Sequence, residues 1–412
     1  MRAINTIIWS GISIFGQSGI AFLSTIILAR MLTPDDFGLI GIVTLFIAFS
    51  QMMVDSEMGG ALLKKKTVDN TDYSTLFYYN LAASLVLYVI LYASAPLIAD
   101  FYDRQELTDI IRIISFTIII HAFRVVQRIM IFRSLNFKAY ALINMASGII
   151  SLAAALWIAK AGYGYWALVW QQIVLAFANV VFLQLYNRFI PSLCFSKESF
   201  RYQFSFGISL LGADTVKTIA NNISTNIIGK ISSLDFTGCY SQASRVSGFC
   251  QTFLTGLMDQ TIFPMMVKID DMTRLKSIYH KTLIYMTLSL SVVTVLFVTL
   301  ATPIIHYLLG EEWIQASGIF QILSLTILPA SVQVLCRNII KTLGDTKRVL
   351  YLETIKSSIL ISFLLAASLA GNYYVVWSLA VSQTVCCFIW LYETEARLNI
   401  RIRMQADTLI NR

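Results

Sequence analysis

The sequence predicts an all-α, polytopic membrane protein, and three observations support that prediction. Hydrophobic residues make up 57% of the 412 residues and charged residues only 13%, whereas soluble proteins carry roughly 25% charged residues. Apolar stretches of about 20 residues recur along the chain, which is the length a helix needs to cross a bilayer. These stretches do not alternate polar and apolar residues, as the strands of a membrane barrel would. A soluble fold is therefore excluded.

About twelve transmembrane helices are predicted, separated by short polar breaks. Their bounds are 7–29, 37–56, 75–98, 108–131, 139–159, 163–186, 204–228, 236–262, 282–309, 316–340, 349–369 and 373–392. The first is interpreted as a retained helix rather than a cleaved signal peptide, because no small-residue cleavage site follows it.

Charge in the loops predicts the orientation. Most lysines and arginines outside the spans fall on one side, whereas acids such as Asp100, Asp103 and Glu311 gather on the other. Since positively charged loops stay in the cytoplasm, both termini are expected there. The basic run 64–66 lies between two spans and lacks the pattern of a nucleic-acid module, so no nucleic-acid partner is expected. The six cysteines have neither metal nor disulfide spacing, and no metal or cofactor is predicted.

An internal repeat divides the spans into two sets of six. The segment 30–38 matches 230–238, and Trp166 with Gln172 matches Trp377 with Gln383. Ordered matches at similar offsets indicate homologous halves. We therefore predict one six-helix bundle over 1–190 and a second over 196–412 with a short cytoplasmic tail. Parallel repeats of this kind are a transporter design.

Basic residues inside the spans are the candidate functional residues. A charge at mid-bilayer costs about 2.5–3.5 kcal/mol unless it faces water or a partner. Four polar residues of the fourth span recur at helical spacing and therefore share one face. They are Thr117, His121, Arg124 and Arg128. The seventh, eighth and tenth spans add further polar side chains to the predicted lining of an interior cavity. These are Lys217, Asn221, Arg245, Gln251 and Arg337.

A net positive cavity suits an anionic substrate, because arginine binds phosphate through paired, charge-assisted hydrogen bonds. His121 and Asp214 are candidates for coupling to an ion gradient.

Structural interpretations of the same residues stay open. Asp214 and Lys217 are three residues apart and could neutralise each other. Arg128 and Arg337 could extend to the inner headgroups. His121 could be a packing residue.

Two further basic residues are left out of the predicted site. Arg112, near the outer face, could extend to the headgroups or pair with Asp109. Lys356 could pair with Glu353.

Five segments carry a family resemblance. They are Leu28–Gly38, Tyr73–Phe77, Ala95–Tyr102, Gly164–Leu168 and Leu308–Trp313. On these segments the chain resembles the polysaccharide transporters of the multidrug/oligosaccharidyl-lipid/polysaccharide (MOP) superfamily.

The resemblance implies a flippase for an undecaprenyl-diphosphate-linked oligosaccharide, serving surface polysaccharide synthesis by alternating access. It further implies no enzymatic activity and a monomer that works beside polymerase machinery among membrane lipids. It also implies a location in a bacterial inner membrane. Many members of that family have fourteen spans rather than twelve. Two alternatives stay open: a cation-coupled multidrug exporter, which would favour acids within the spans, and a membrane-embedded polymerase or ligase, which would need a larger outer loop.

Overall fold

A computed structural model describes residues 2–55, 58–257, 266 and 271–398, and within these ranges the secondary structure is helical. The helices of the first half are α1 (Arg2–Ala29), α2 (Pro34–Asp55), α3 (Met58–Lys64), α4 (Asn70–Tyr102), α5 (Glu106–Ile114), α6 (Phe116–Arg133), α7 (Phe137–Lys160) and α8 (Trp166–Asn187). Those of the second half are α9 (Lys197–Ile231), α10 (Leu234–Leu257), α11 (Met272–Thr299), α12 (Ala301–Leu309), α13 (Gln315–Ser324), α14 (Ile327–Thr342), α15 (Thr346–Ser368) and α16 (Asn372–Arg397). A short 3-10 turn, Glu311–Trp313, precedes α13.

Eight helical segments of the described ranges are long and apolar enough to cross a membrane. They are Pro34–Lys64, Asn70–Tyr102, Phe137–Lys160, Trp166–Asn187, Met272–Thr299, Gln315–Thr342, Lys347–Ser368 and Asn372–Arg397. Each contains or overlaps one of the predicted spans, so an all-helical, multi-span membrane fold is confirmed.

The other four predicted spans coincide with α1, the α5–α6 pair, α9 and α10, and their crossing stays a prediction. α9 and α10 are rich in Asn, Gln, Ser and Thr, which lowers their hydropathy.

The fourth predicted span is two helices rather than one. α5 ends at Ile114 and α6 begins at Phe116, with Ser115 between them. The Ser115 hydroxyl donates to the carbonyl of Ile111, and the Thr117 hydroxyl donates to that of Ile114 at 2.7 Å. Such local bonds to the preceding turn compete with the regular helix and bend it. α5 therefore forms a separate short helix at the predicted outer end of this span.

The first compact unit covers Met1–Ser241. Within it α7 packs between α1 and α8, α6 packs against α4 and α8, and α9 packs against α2, α3 and α4. Polar pairs cross these contacts: the Asn179 amide donates to Asn144 at 2.7 Å, and Gln127 donates to Gln184 at 2.7 Å. The unit extends past the boundary predicted at 190–196, because α9 packs with the first six spans. The division into six-helix bundles over 1–190 and 196–412 was based on the internal repeat, and it stays a prediction.

The second compact unit covers Gln242–Arg412. α14 and α16 pack together, and α11 packs against α14. Tyr279 and Trp390 lie at most 1% exposed in a hydrophobic cluster of this unit. Such large aromatic side chains each bury a large apolar area and so help to hold the unit together.

Candidate functional site

The polar face predicted for the fourth span lies on α6, but its first member, Thr117, is buried and donates to the Ile114 carbonyl. His121, Arg124 and Arg128 are all partly exposed, whereas Val125 and Val126 between them are fully buried. This alternation means that one side of α6 packs into the unit while the side carrying the three basic residues stays accessible. We call His121, Arg124 and Arg128 the α6 basic face.

For three predicted site residues on α9, the structure describes the backbone but not the side chains. They are Asp214, Lys217 and Asn221. Their roles in substrate binding and ion coupling stay predictions.

In the second unit the predicted residues have distinct surroundings. Arg245 on α10 is exposed. The Gln251 amide donates to the Thr326 hydroxyl at 2.8 Å. Arg337 on α14 lies 3.8 Å from the carboxylate of Glu353, so Glu353 contacts this arginine. The assignment of these residues to substrate binding stays a prediction.

The two copies of the repeated loop contact each other. The segments 30–38 and 230–238, which we call the loop pair, follow α1 and α9 and open α2 and α10. A Cβ built on Gly38 would stand 3.1 Å from the carbonyl carbon of Leu234 and 3.3 Å from the nitrogen of Gly238. A Cβ on Gly238 would stand 2.6 Å from the carbonyl carbon of Pro34 and still closer to its oxygen. Each glycine therefore packs against the backbone that opens the other copy's helix.

The close approach continues along α2. A Cβ on Gly229 of α9 would lie 2.6 Å from Ile42, and one on Gly41 would lie 3.2 Å from Thr225. Small residues at such positions allow two helices to approach at backbone distance. The repeated sequence thus forms a tight, paired contact at the predicted outer ends of these helices.

Polar side chains anchor the predicted inner end of the first unit. Lys65 forms an ion pair with Asp72 at 2.7 Å, and the Ser199 hydroxyl donates to the same carboxylate at 2.5 Å. Arg133 donates to the carbonyls of Leu62 and of Lys65, the latter at 2.8 Å. These contacts join the α3–α4 loop to α6 and α9.

A second ion-pair network lies at the predicted inner ends of α15 and α16. Arg348 donates to both oxygens of Glu393, at 2.7 and 2.9 Å, and Arg397 donates to Glu393 at 3.0 Å. Arg397 also forms an ion pair with Asp345. The pKa of Asp345 is lowered mainly by a hydrogen bond from the Arg348 backbone N–H and, secondly, by one from the Arg397 side chain.

Sequence reasoning placed these inner residues in loops but did not identify their partners. The loop pair, in contrast, had a signal in the sequence: the repeat itself aligned Gly38 with Gly238. The alignment did not predict that the two copies meet.

Together, the helices of the two units define an all-helical, multi-span membrane protein. The fold is similar to that of the lipid II flippase MurJ in an inward closed conformation, with a TM-score of 0.77 and 14% identity over 94% of this chain and 87% of that one. It is also similar to an inward-facing multidrug resistance MATE family transporter, with a TM-score of 0.69 and 12% identity over 93% of this chain and 94% of that one. At these identities the likeness concerns the fold alone.

The chain belongs to the polysaccharide biosynthesis protein family, whose model matches residues 27–318. Similar curated proteins include the teichuronic acid biosynthesis protein TuaB of Bacillus subtilis, 24% identical over 77% of this chain and 66% of that protein. The succinoglycan biosynthesis transport protein ExoT of Rhizobium meliloti is 24% identical over 77% of this chain and 65% of that protein. The lipopolysaccharide biosynthesis protein WzxC of Escherichia coli is 22% identical over 79% and 66%. The chain thus spans about two thirds of the length of these relatives.

Proposed function

We propose that this protein moves an undecaprenyl-diphosphate-linked oligosaccharide from the cytoplasmic to the periplasmic leaflet, for synthesis of a surface polysaccharide. The observation that carries the proposal is the α6 basic face in a member of the polysaccharide biosynthesis family. Curated relatives named for transport and for teichuronic acid, succinoglycan and lipopolysaccharide synthesis support this class of substrate. A polymerase or ligase is the less suitable interpretation, because the relatives' names include a transport protein and the fold is that of transporters.

The diphosphate is the group that the basic residues would recognise. A guanidinium presents paired donors to phosphate oxygens, and the charge makes each hydrogen bond about twice as strong as a neutral one. Arg124 and Arg128 lie one turn apart on α6, so two phosphates could be bound along one face. Arg245 is exposed on a helix that we assign to the membrane, where a charge facing hydrocarbon is costly. We therefore assign it to a water-filled interior, with Lys217, Asn221, Gln251 and Arg337 as further lining.

Alternating access is the proposed mechanism. In the structure the loop pair is in close contact, and we infer that this contact closes the predicted outer side. Export would then require the pair to separate while the inner side closes. His121 and Asp214 are the proposed groups for coupling this exchange to protons or sodium. We further propose that both termini are cytoplasmic and that a monomer delivers substrate to polymerase machinery.

The direct test is flipping in proteoliposomes of purified protein. A diphosphate-linked polyprenyl oligosaccharide and a fluorescent cationic dye would be offered together, and the appearance of each on the opposite side would be measured. Movement of the lipid-linked sugar supports the proposal. Movement of the dye alone would instead identify a drug exporter, and movement of neither by folded protein would contradict both.

Matched variants test the anion site. Arg124→Ala and Arg245→Ala should each abolish transport of the lipid-linked sugar with abundance unchanged, whereas Arg201→Ala, at an exposed position near the start of α9, should not. Arg124→Lys keeps the charge but loses the paired donors, so it should transport at an intermediate rate. Normal transport by both alanine variants would refute the cavity mechanism.

A further inference from the structure

A surface groove of the first unit combines aromatic side chains with one cation and one anion. The groove has a volume of about 510 Å³ and is formed by α4, α5, α6 and α8. The residues that characterise it are Tyr88, Tyr92, Asp109, Arg112, Phe116 and Trp170. None of them belongs to the proposed transport site. Tyr92, Phe116 and Trp170 are 44–48% exposed, so the groove opens to the surroundings of the protein.

The short helix α5 determines what the groove presents. Leu107, Ile110 and Ile111 are fully buried, which fixes the inward face of this helix. Asp109 and Arg112 lie three residues apart on the other side, where Asp109 is exposed and Arg112 partly exposed. Side chains three positions apart on a helix are neighbours, with Cβ atoms about 5–6 Å apart. The groove therefore offers a carboxylate and a guanidinium side by side.

Arg112 is positioned by a ring rather than by a carboxylate. Its guanidinium carbon lies 4.7 Å from the ring centroid of Tyr92. Its Nε is buried and, among the described residues, has no hydrogen-bond partner. The side chain as a whole is partly exposed and lines the groove, so an acceptor on a ligand can reach the remaining donors of the guanidinium.

The depth of the two charges matches lipid headgroups. Asp109 and Arg112 lie within about one helical turn of residue 108, where the predicted span begins at its outer end. The aromatic rings of Tyr88 and Phe116 lie deeper, with centroids 6.4 Å apart in an edge-to-face arrangement. Aromatic surface of this kind packs well against acyl chains below a headgroup.

We propose that this groove binds a phospholipid of the outer leaflet whose headgroup carries a primary ammonium, as in phosphoethanolamine. Arg112 binds the lipid phosphate, Asp109 accepts hydrogen bonds from the ammonium, and one acyl chain lies against the aromatic side chains. The carboxylate sets the selectivity. It repels a headgroup of net negative charge such as phosphoglycerol, and it receives no hydrogen bond from the methylated ammonium of phosphocholine. The inference is independent of the proposed transport function.

Native mass spectrometry of the delipidated, full-length protein tests the proposal with three defined lipids of identical acyl chains. The added lipids are phosphatidylethanolamine, phosphatidylglycerol and phosphatidylcholine. Wild-type protein should retain phosphatidylethanolamine most strongly. Arg112→Gln should weaken its apparent affinity about tenfold or more, since hydrogen bonds to a charged group are lost. Asp109→Asn, which keeps the side-chain shape, should remove the preference for phosphatidylethanolamine over phosphatidylglycerol.

A second groove supplies the matched control. It is lined by Lys281 and Tyr285 of α11, has a volume of about 610 Å³ and contains a cation and an aromatic ring but no carboxylate. Lys281→Gln should leave the preference for phosphatidylethanolamine unchanged. The proposal is overturned if wild-type protein binds the three lipids equally, if phosphatidylglycerol binds best, or if Lys281→Gln changes the preference as much as Asp109→Asn does.

Discussion

The loop pair makes a quantitative prediction about Gly238. A methyl group added there would stand 2.6 Å from the carbonyl carbon of Pro34, whereas ordinary carbon contacts begin near 3.4 Å. Pro34 opens α2, so its carbonyl belongs to a helical backbone and cannot rotate away by itself. Gly238→Ala should therefore force the two loops apart.

The magnitude follows from the missing space. The carbonyl carbon alone requires a separation of about 0.8 Å, and the nearer carbonyl oxygen requires more, so the overpacking should cost at least about 1–3 kcal/mol. If the protein exchanges between a state with this contact and a state without it, the cost falls on the first state alone. Its population relative to the second should fall by about 5- to 150-fold.

The assay measures access to the contact from the predicted outer side. Ser241, which is 7% exposed, lies beside it, with its Cβ 3.5 Å from the position of an added Cβ at Gly41. In a background with the six native cysteines replaced, Ser241→Cys would react with a membrane-impermeant maleimide only when the loops separate. Gly238→Ala should raise the labelling rate by about 5- to 150-fold, in line with the change in population.

Gly248→Ala is the matched control, because it lies on the same helix and an added Cβ there meets no described atom within 4 Å. It should leave the labelling rate unchanged. If Gly238→Ala purifies as a folded protein and labels at the wild-type rate, the loop pair does not separate and the inferred outer closure is wrong.

Three further predictions concern charge. Asp235 lies at the start of α10, outside the predicted span, and its pKa is raised by burial and, secondly, by the charge of Asp35. Protonation of this carboxyl therefore favours the contacted state, and that stabilisation is lost as the pH rises through the raised pKa. Labelling of Ser241→Cys should therefore increase with pH, and Asp235→Asn should flatten that dependence. Glu393→Gln should lower the free energy of unfolding by about 1–2 kcal/mol, measured by denaturant titration in detergent, because two arginines lose their shared carboxylate; Glu311→Gln at an exposed position is the control, and equal effects would contradict the role of the network. Arg133→Ala should cost about 1 kcal/mol in the same measurement, because the partly buried carbonyls of Leu62 and Lys65 lose their donor. An unchanged midpoint would show that this donor is dispensable.

The sequence predicted the fold class because length and hydropathy determine which segments can cross a bilayer. The same criterion is weakest for α9 and α10, where polar residues lower the hydropathy. The break at Ser115 was not predicted, since it depends on a hydroxyl bonding to the previous turn rather than on apolar pattern. Because α5 is a separate helix, Asp109 and Arg112 line a groove that the prediction of one continuous helix did not include.

The candidate site was predictable to a different degree. Helical spacing placed His121, Arg124 and Arg128 on one face, and in the structure all three are partly exposed while Val125 and Val126 are buried. Their role in substrate binding stays a prediction. Spacing could not identify partners from other helices. For example, Glu353 on α15 contacts Arg337 on α14, although Lys356 lies nearer to Glu353 in the sequence.

The charge of the α6 basic face can be changed at one position within the helix itself, because α6 contains no Asp or Glu. A carboxylate introduced at position 121 would lie one turn from Arg124 and two turns from Arg128. If the face attracts a diphosphate, His121→Glu should abolish transport of the lipid-linked sugar, because the new charge neutralises the arginines and repels the substrate. His121→Gln adds no charge, so it should still move the lipid-linked sugar down its own concentration gradient and lose only the response to an imposed proton or sodium gradient. Loss of downhill movement in both variants would refute the electrostatic argument.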